Sequence, residues 1–80
     1  MNISDAVRNR IKELCEKNNI TINKLCYYSA VPQATVSDFM RGKHKSMNLD
    51  NLKKLIDGLD MTITEFFDTE VFRSLEQEIK

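Results

Sequence analysis

Apolar residues return along this chain at helical intervals. Val7, Ile11 and Leu14 stand at i, i+4 and i+7 and mark one stripe of a helix predicted over residues 5–18. Ser4 is the expected N-cap, Asp5 suits the positive end of the helix dipole, and Asn18 with Asn19 ends the segment. Thr21 reads as a second N-cap, for a helix running to about Ser29. Leu25 and Cys26 face inward on it. Tyr27 and Tyr28 follow directly, so at least one of them is partly exposed.

Ala30, Val31 and Pro32 predict a tight turn. A third helix then starts near Pro32 or Gln33, since proline is tolerated at a first helical position, and ends near Arg41. Gly42 is placed as its left-handed cap, and Val36, Phe39 and Met40 form its buried side. After the basic loop of Lys43, His44, Lys45 and Ser46, a fourth helix runs from the Asn48 cap to about Leu59. Leu49, Leu52, Leu55, Ile56 and Leu59 make its stripe, with Met47 and Leu52 spaced as a hydrophobic staple. Thr62, Ile63, Thr64 and Glu65 spell a capping box, with Met61 and Phe66 as a second staple. Phe66 and Phe67 then close the core. In residues 68–80, Val71, Phe72, Leu75 and Ile79 share one side, leaving room for a sixth helix packed on its own chain or on a partner subunit. No segment alternates with the period of a strand. The expectation is an all-α, compact five-helix bundle over residues 1–67, followed by a tail over residues 68–80.

Eighty residues suffice for one small domain. A chain of this size buries only about 60% of its unfolded surface, which leaves little room for an enzyme cleft and favours a binding module. Net charge is zero, but it is unevenly spread. Residues 1–60 hold ten Lys and Arg against seven Asp and Glu, and residues 61–80 hold two against five. A mildly basic body therefore carries an acidic tail, and the local field, not the total, governs a binding face. Cys15 and Cys26 fall at apolar helical positions and read as reduced core thiols. Neither they nor His44 have zinc-ligand spacing, so no metal or cofactor is expected. No nucleophile–base pair or glycine-rich phosphate loop points to an enzyme. No apolar run approaches the length of a membrane span or a signal peptide, which makes the cytoplasm the expected location. No small-molecule ligand is evident.

The stretch T-I-N-K-L-C-Y-Y-S-A-V-P-Q-A-T-V-S-D-F-M-R-G-K, followed by N-L-D-N-L-K-K-L-I-D-G-L-D-M-T-I-T-E-F-F, resembles the Cro/lambda-repressor-type (xenobiotic-response-element-like) helix-turn-helix family. With the first helix the resemblance covers about residues 4–67. It is carried by Thr21, Leu25, Val31, Gln33, Thr35, Val36, Ser37, Arg41, Gly42, Lys43, Leu52, Leu55, Leu59, Thr62, Glu65, Phe66 and Phe67, all in register. No one of these is specific alone.

The resemblance implies a lambda-repressor-like fold and a bacterial or phage transcriptional regulator, with the helix over residues 33–41 in the major groove. Gln33, Ala34 and Asp38 match base-contacting positions. Gln bonds adenine in a bidentate manner, Ala suits a thymine methyl, and an acid accepts from cytosine N4. Asp38 could instead bond to its own helix or repel wrong sequences. Thr21, Thr35, Ser37, Arg41, Lys43 and Lys45 match positions that clamp phosphates, together with the N-terminal amides of the second helix. The implied partner is double-stranded DNA with a palindromic operator, bound by a homodimer.

Several positions depart from the family pattern. Ile22 stands where Gln is frequent, Ala30 where Gly is frequent, and Pro32 where Ser or Thr caps the helix. Cys15 and Met40 replace an Arg–Glu pair, which predicts that this contact survives as apolar packing. Neutral charge, Asp38 and Ile22 keep a second reading open: a protein-interaction adaptor or antitoxin-type module on the same fold.

Overall fold

The computed structural model describes residues 1–79, which form α1 (Ile3–Lys17), α2 (Ile22–Ser29), α3 (Gln33–Met40), α4 (Leu49–Gly58), α5 (Ile63–Phe67) and α6 (Glu70–Arg73). The starts are set by short polar side chains that accept from the first-turn amides, which have no helical partner. Thr21 accepts from Lys24 N, Asn48 from Asn51 N and Thr62 from Glu65 N. Glu65 returns a bond to the Thr62 amide, completing the expected capping box. At α1 the cap is Asn2, which accepts from Asp5 N at 2.8 Å, and not Ser4. The helix thereby starts two residues earlier than the pattern suggested. Pro32 is the N-cap residue of α3, not its first helical residue, and makes no side-chain cap.

Four helices end in the same way. Asn19, Ala30, Gly42 and Asp60 take positive φ, and the following amide reaches back five residues. These bonds are Ile20 N to Cys15 O, Val31 N to Cys26 O, Lys43 N to Asp38 O and Met61 N to Ile56 O. This is the 6→1 bond of a Schellman-type cap. Asn and Asp tolerate the left-handed region; Ala30, at φ 55° and ψ 39°, does so against a Cβ penalty of about 1–2 kcal/mol.

The core draws on every helix from α1 to α5: Val7, Ile11, Leu14, Leu25, Val36, Phe39, Leu55, Ile56, Leu59 and Phe66 are buried. Cys15 and Cys26 are reduced and buried, and Met40 packs against the same cluster. Both residues expected to form an apolar link between α1 and α3, Cys15 and Met40, are therefore part of, or packed against, one core cluster. Met47, Leu52 and Met61 also pack on the core. Leu49, assigned to the α4 stripe, is instead 81% exposed: as the first residue of α4 it lies beyond the end of the neighbouring packing.

The tail docks only in part. Phe72 packs edge-on against Phe67, with centroids 4.8 Å apart, and is tilted 6.2 Å from Phe66. Its helix spans only four residues, capped by Thr69. Leu75 is half-buried, while Val71 and Ile79 are exposed, so the expected four-residue stripe does not close as one face.

Candidate nucleic-acid interface

α2 and α3 are joined through the left-handed Ala30, and packing fixes how α3 is turned. Val36 and Phe39 are 0% and 2% exposed, which rolls one side of α3 into the core. The other side then has no choice but to face outward. Gln33 and Ala34 are exposed at its first turn. Ala34, Asp38 and Arg41 share a face at spacings of four and three, with Ser37 four residues after Gln33. Thr35, Ser37 and Asp38 are half-buried, and Arg41 is exposed. An amphipathic helix with a polar outer face and an uncapped N-terminus is of a size that enters a DNA major groove.

The first-turn amides of α2 and α3 add donors. Thr21 bonds Lys24 N at 3.1 Å, and the two amides before it have no helical carbonyl to reach. Thr21 itself is exposed, so its position can meet an anion as well as cap the helix. Ile22 does not take part: its side chain packs on the core.

The basic loop is built on Asp38. Its backbone carbonyl accepts from Lys43 N at 2.8 Å and His44 N at 3.4 Å. Its carboxylate accepts from Arg41 Nη2 at 2.7 Å and lies 3.7 Å from His44 Nε2. The Arg41 hydrogen bond holds the Asp38 carboxyl below the usual range; partial burial opposes this, and the charges of Lys43, Arg41 and His44 add to the lowering. The acid on the outer face of α3 is thus already partnered by a cation from the same helix end. Lys43, His44 and Lys45 are exposed. Gly42, at φ 80°, has open space around it, so it is required for its conformation and not for room.

Each expected site residue is thus exposed or half-buried: Thr21 at the start of α2, Gln33, Ala34, Thr35, Ser37 and Asp38 on α3, and Arg41, Lys43 and Lys45 at and after its end. Sequence reasoning missed Arg8. From α1 its Nε donates to the Phe39 carbonyl at 2.6 Å, and its Nη2 donates to the His44 carbonyl at 2.9 Å. Nη1 pairs with Asp5 at 2.8 Å, and the guanidinium lies 4.5 Å from the Phe39 ring centroid. Arg10 makes a parallel connection, donating to the Phe66 carbonyl at 2.8 Å and the Glu65 carbonyl at 3.1 Å. Both partners are main-chain carbonyls more than thirty residues away. No residue type marks such an acceptor, so no local signal announces these bonds.

Among the described residues, no helix is long and apolar enough to cross a membrane. The family model for the Cro/C1-type HTH DNA-binding domain matches residues 10–71. A curated relative, the SPbeta prophage-derived uncharacterized HTH-type transcriptional regulator YopS of Bacillus subtilis (strain 168), is 30% identical over 63 residues, covering 79% of this chain and 85% of the relative. No solved structure gives a significant match.

Proposed function

Because this chain belongs to the Cro/C1-type HTH DNA-binding domain family, we propose that it is a transcriptional regulator that binds double-stranded DNA sequence-specifically with α3 in the major groove. The observation that carries this reading is the division of α3. Val36 and Phe39 are fully packed, while Gln33 and Ala34 are exposed at the leading turn and Arg41, Lys43 and Lys45 at the trailing end. In the proposed complex Gln33 bonds adenine N6 and N7, and Ala34 lies against a thymine methyl. Asp38 has one carboxylate oxygen bonded to Arg41; the other can accept from cytosine N4. Thr21, Thr35, Ser37, Arg41, Lys43 and Lys45 clamp phosphates and supply the salt-dependent part of the affinity.

Two copies would read a palindromic operator, with half-sites about one helical turn apart. This dimer is part of the proposal and rests on the family pattern. The relative carries the words HTH-type transcriptional regulator, which supports the same role here, in the cytoplasm of a bacterial or prophage-bearing cell.

Selection from a random duplex library tests this reading. Enrichment of an inverted repeat, with base preference at one position per half-site altered by Gln33→Ala, is the expected result. Failure to enrich any sequence would overturn it in favour of a protein-interaction module.

A further inference from the structure

We infer that Arg8 is a positioning residue for DNA binding. From α1 it fixes the end of α3 and the loop bearing Lys43 and Lys45. This inference rests on the DNA-binding reading above.

Arg8 spends its guanidinium on main chain. Nε bonds the Phe39 carbonyl, which also accepts from Gly42 N at 3.0 Å where α3 ends; Nη2 bonds the carbonyl of His44 in the middle of the basic loop. The positive charge also sits at the negative end of the α3 dipole. Asp5 takes the remaining arm, and the side chain is only 15% exposed. Such a group is not placed to reach a phosphate itself. It holds two segments of the interface in one geometry, through a planar fork that lysine cannot copy.

The tether acts where the loop has few other supports. His44 is held from one side by its amide bond to the Asp38 carbonyl at 3.4 Å and from the other by Arg8 at 2.9 Å. Lys43 and Lys45 flank it and are exposed. Side chain to side chain, the Arg8 guanidinium also lies 4.5 Å from the centroid of the Phe39 ring on α3. Arg8 therefore supplies a polar connection from α1 to this end of α3. Without it the two lysines remain on the chain, but their placement against a backbone is no longer fixed.

The test compares wild type, Arg8→Lys, Arg8→Ala, Lys43→Ala/Lys45→Ala and the Arg8→Ala/Lys43→Ala/Lys45→Ala triple variant, at a temperature where all are folded by circular dichroism. Affinity for a selected duplex is measured against salt, and amide exchange of residues 41–45 is measured without DNA. Arg8→Lys, which keeps the charge, is expected to lose about tenfold or more in affinity. Its salt slope is expected to become shallower by up to about two units, the share of two phosphate contacts. The lysine substitutions are expected to cost little more once Arg8 is alanine, because Arg8 acts through those lysines, and the loop amides exchange faster in both Arg8 variants. Wild-type affinity and slope in Arg8→Lys would overturn the inference, as would simple additivity of the Arg8 and lysine effects. If wild type itself binds no DNA, the functional reading fails. The exchange data then still decide whether Arg8 fixes the loop: unchanged exchange at residues 43–45 overturns that as well.

Discussion

Ser29 and Gly58 meet where α2 packs on α4: a Cβ built on Gly58 would lie 2.0 Å from Ser29 Oγ and 3.2 Å from both Ser29 Cβ and Leu25 Cδ1. The glycine serves close approach, since its φ is not positive. Alanine would gain about 1 kcal/mol of helix propensity, against overpacking of about 1–3 kcal/mol. Gly58→Ala is therefore expected to lower stability, by up to about 2 kcal/mol, in urea denaturation. Ser29→Ala in the same chain should recover most of the loss. It removes the clashing hydroxyl, which has no hydrogen-bond partner among the described residues. A Gly58→Ala variant more stable than wild type would contradict this packing.

Ala30 carries the strain of the turn between α2 and α3, at φ 55°. Ala30→Gly is expected to stabilise the fold by about 1 kcal/mol, because glycine enters the left-handed region without the Cβ penalty. Asn19→Gly and Asp60→Gly should gain less, as Asn and Asp tolerate that region. Thermal melts of the three variants rank them; Ala30→Gly falling last would contradict the assignment of strain.

The legible parts of the fold are those decided within one turn of helix. Thr21, Asn48 and the Thr62–Glu65 box cap amides three residues ahead, so their roles show in the local order of residues. The α1 cap was misplaced by two residues because Asn2 and Ser4 are both competent caps, and only Asn2 reaches a first-turn amide. The rotation of α3 was equally legible, since burying Val36 and Phe39 leaves Gln33 and Ala34 outward. What escaped depends on partners far along the chain. Arg8 looks like any solvated cation until the fold carries the Phe39 and His44 carbonyls to it. Leu49 and Ile79 fit an apolar period that the fold has no neighbour to cover.

Burial pushes both thiols above the ordinary cysteine value; for Cys15 the neighbouring Cys26 pushes the same way, and for Cys26 a backbone hydrogen bond partly opposes it. In the unfolded chain a thiol ionises near about pH 8.5. The native state keeps its protons longer, so this contribution to stability is intact below about pH 8.5 and is lost as pH rises through the folded values. Urea midpoints should therefore fall as pH rises above about 8.5 more steeply in wild type than in Cys15→Ala/Cys26→Ala. The native thiols should also react slowly with a disulfide reagent at pH 8. Reaction at the unfolded-chain rate would contradict the buried assignment.

Asp38 restrains Arg41. The Arg41 hydrogen bond keeps the carboxyl low, so the pair is intact above the usual carboxylate range near about pH 4 and weakens as pH falls through the lowered folded value. Exposed pairs of this kind contribute little to stability. Asp38→Asn should leave the melting temperature nearly unchanged while raising affinity for non-specific duplex several-fold, because Arg41 is released and a negative charge is gone. Equal non-specific affinity in Asp38→Asn and wild type would mean the carboxylate does not restrain Arg41.

The most direct test of the DNA-reading assignment is fluorescence anisotropy of the protein on a selected duplex and on its scrambled counterpart, at several salt concentrations. A specific regulator prefers the selected duplex by about 10³-fold or more and loses affinity steeply as salt rises. Replacing Arg41, Lys43 and Lys45 together by alanine should then flatten the salt slope by up to about three units. Weak and equal binding to both duplexes, with a slope indifferent to those three residues, would contradict the account.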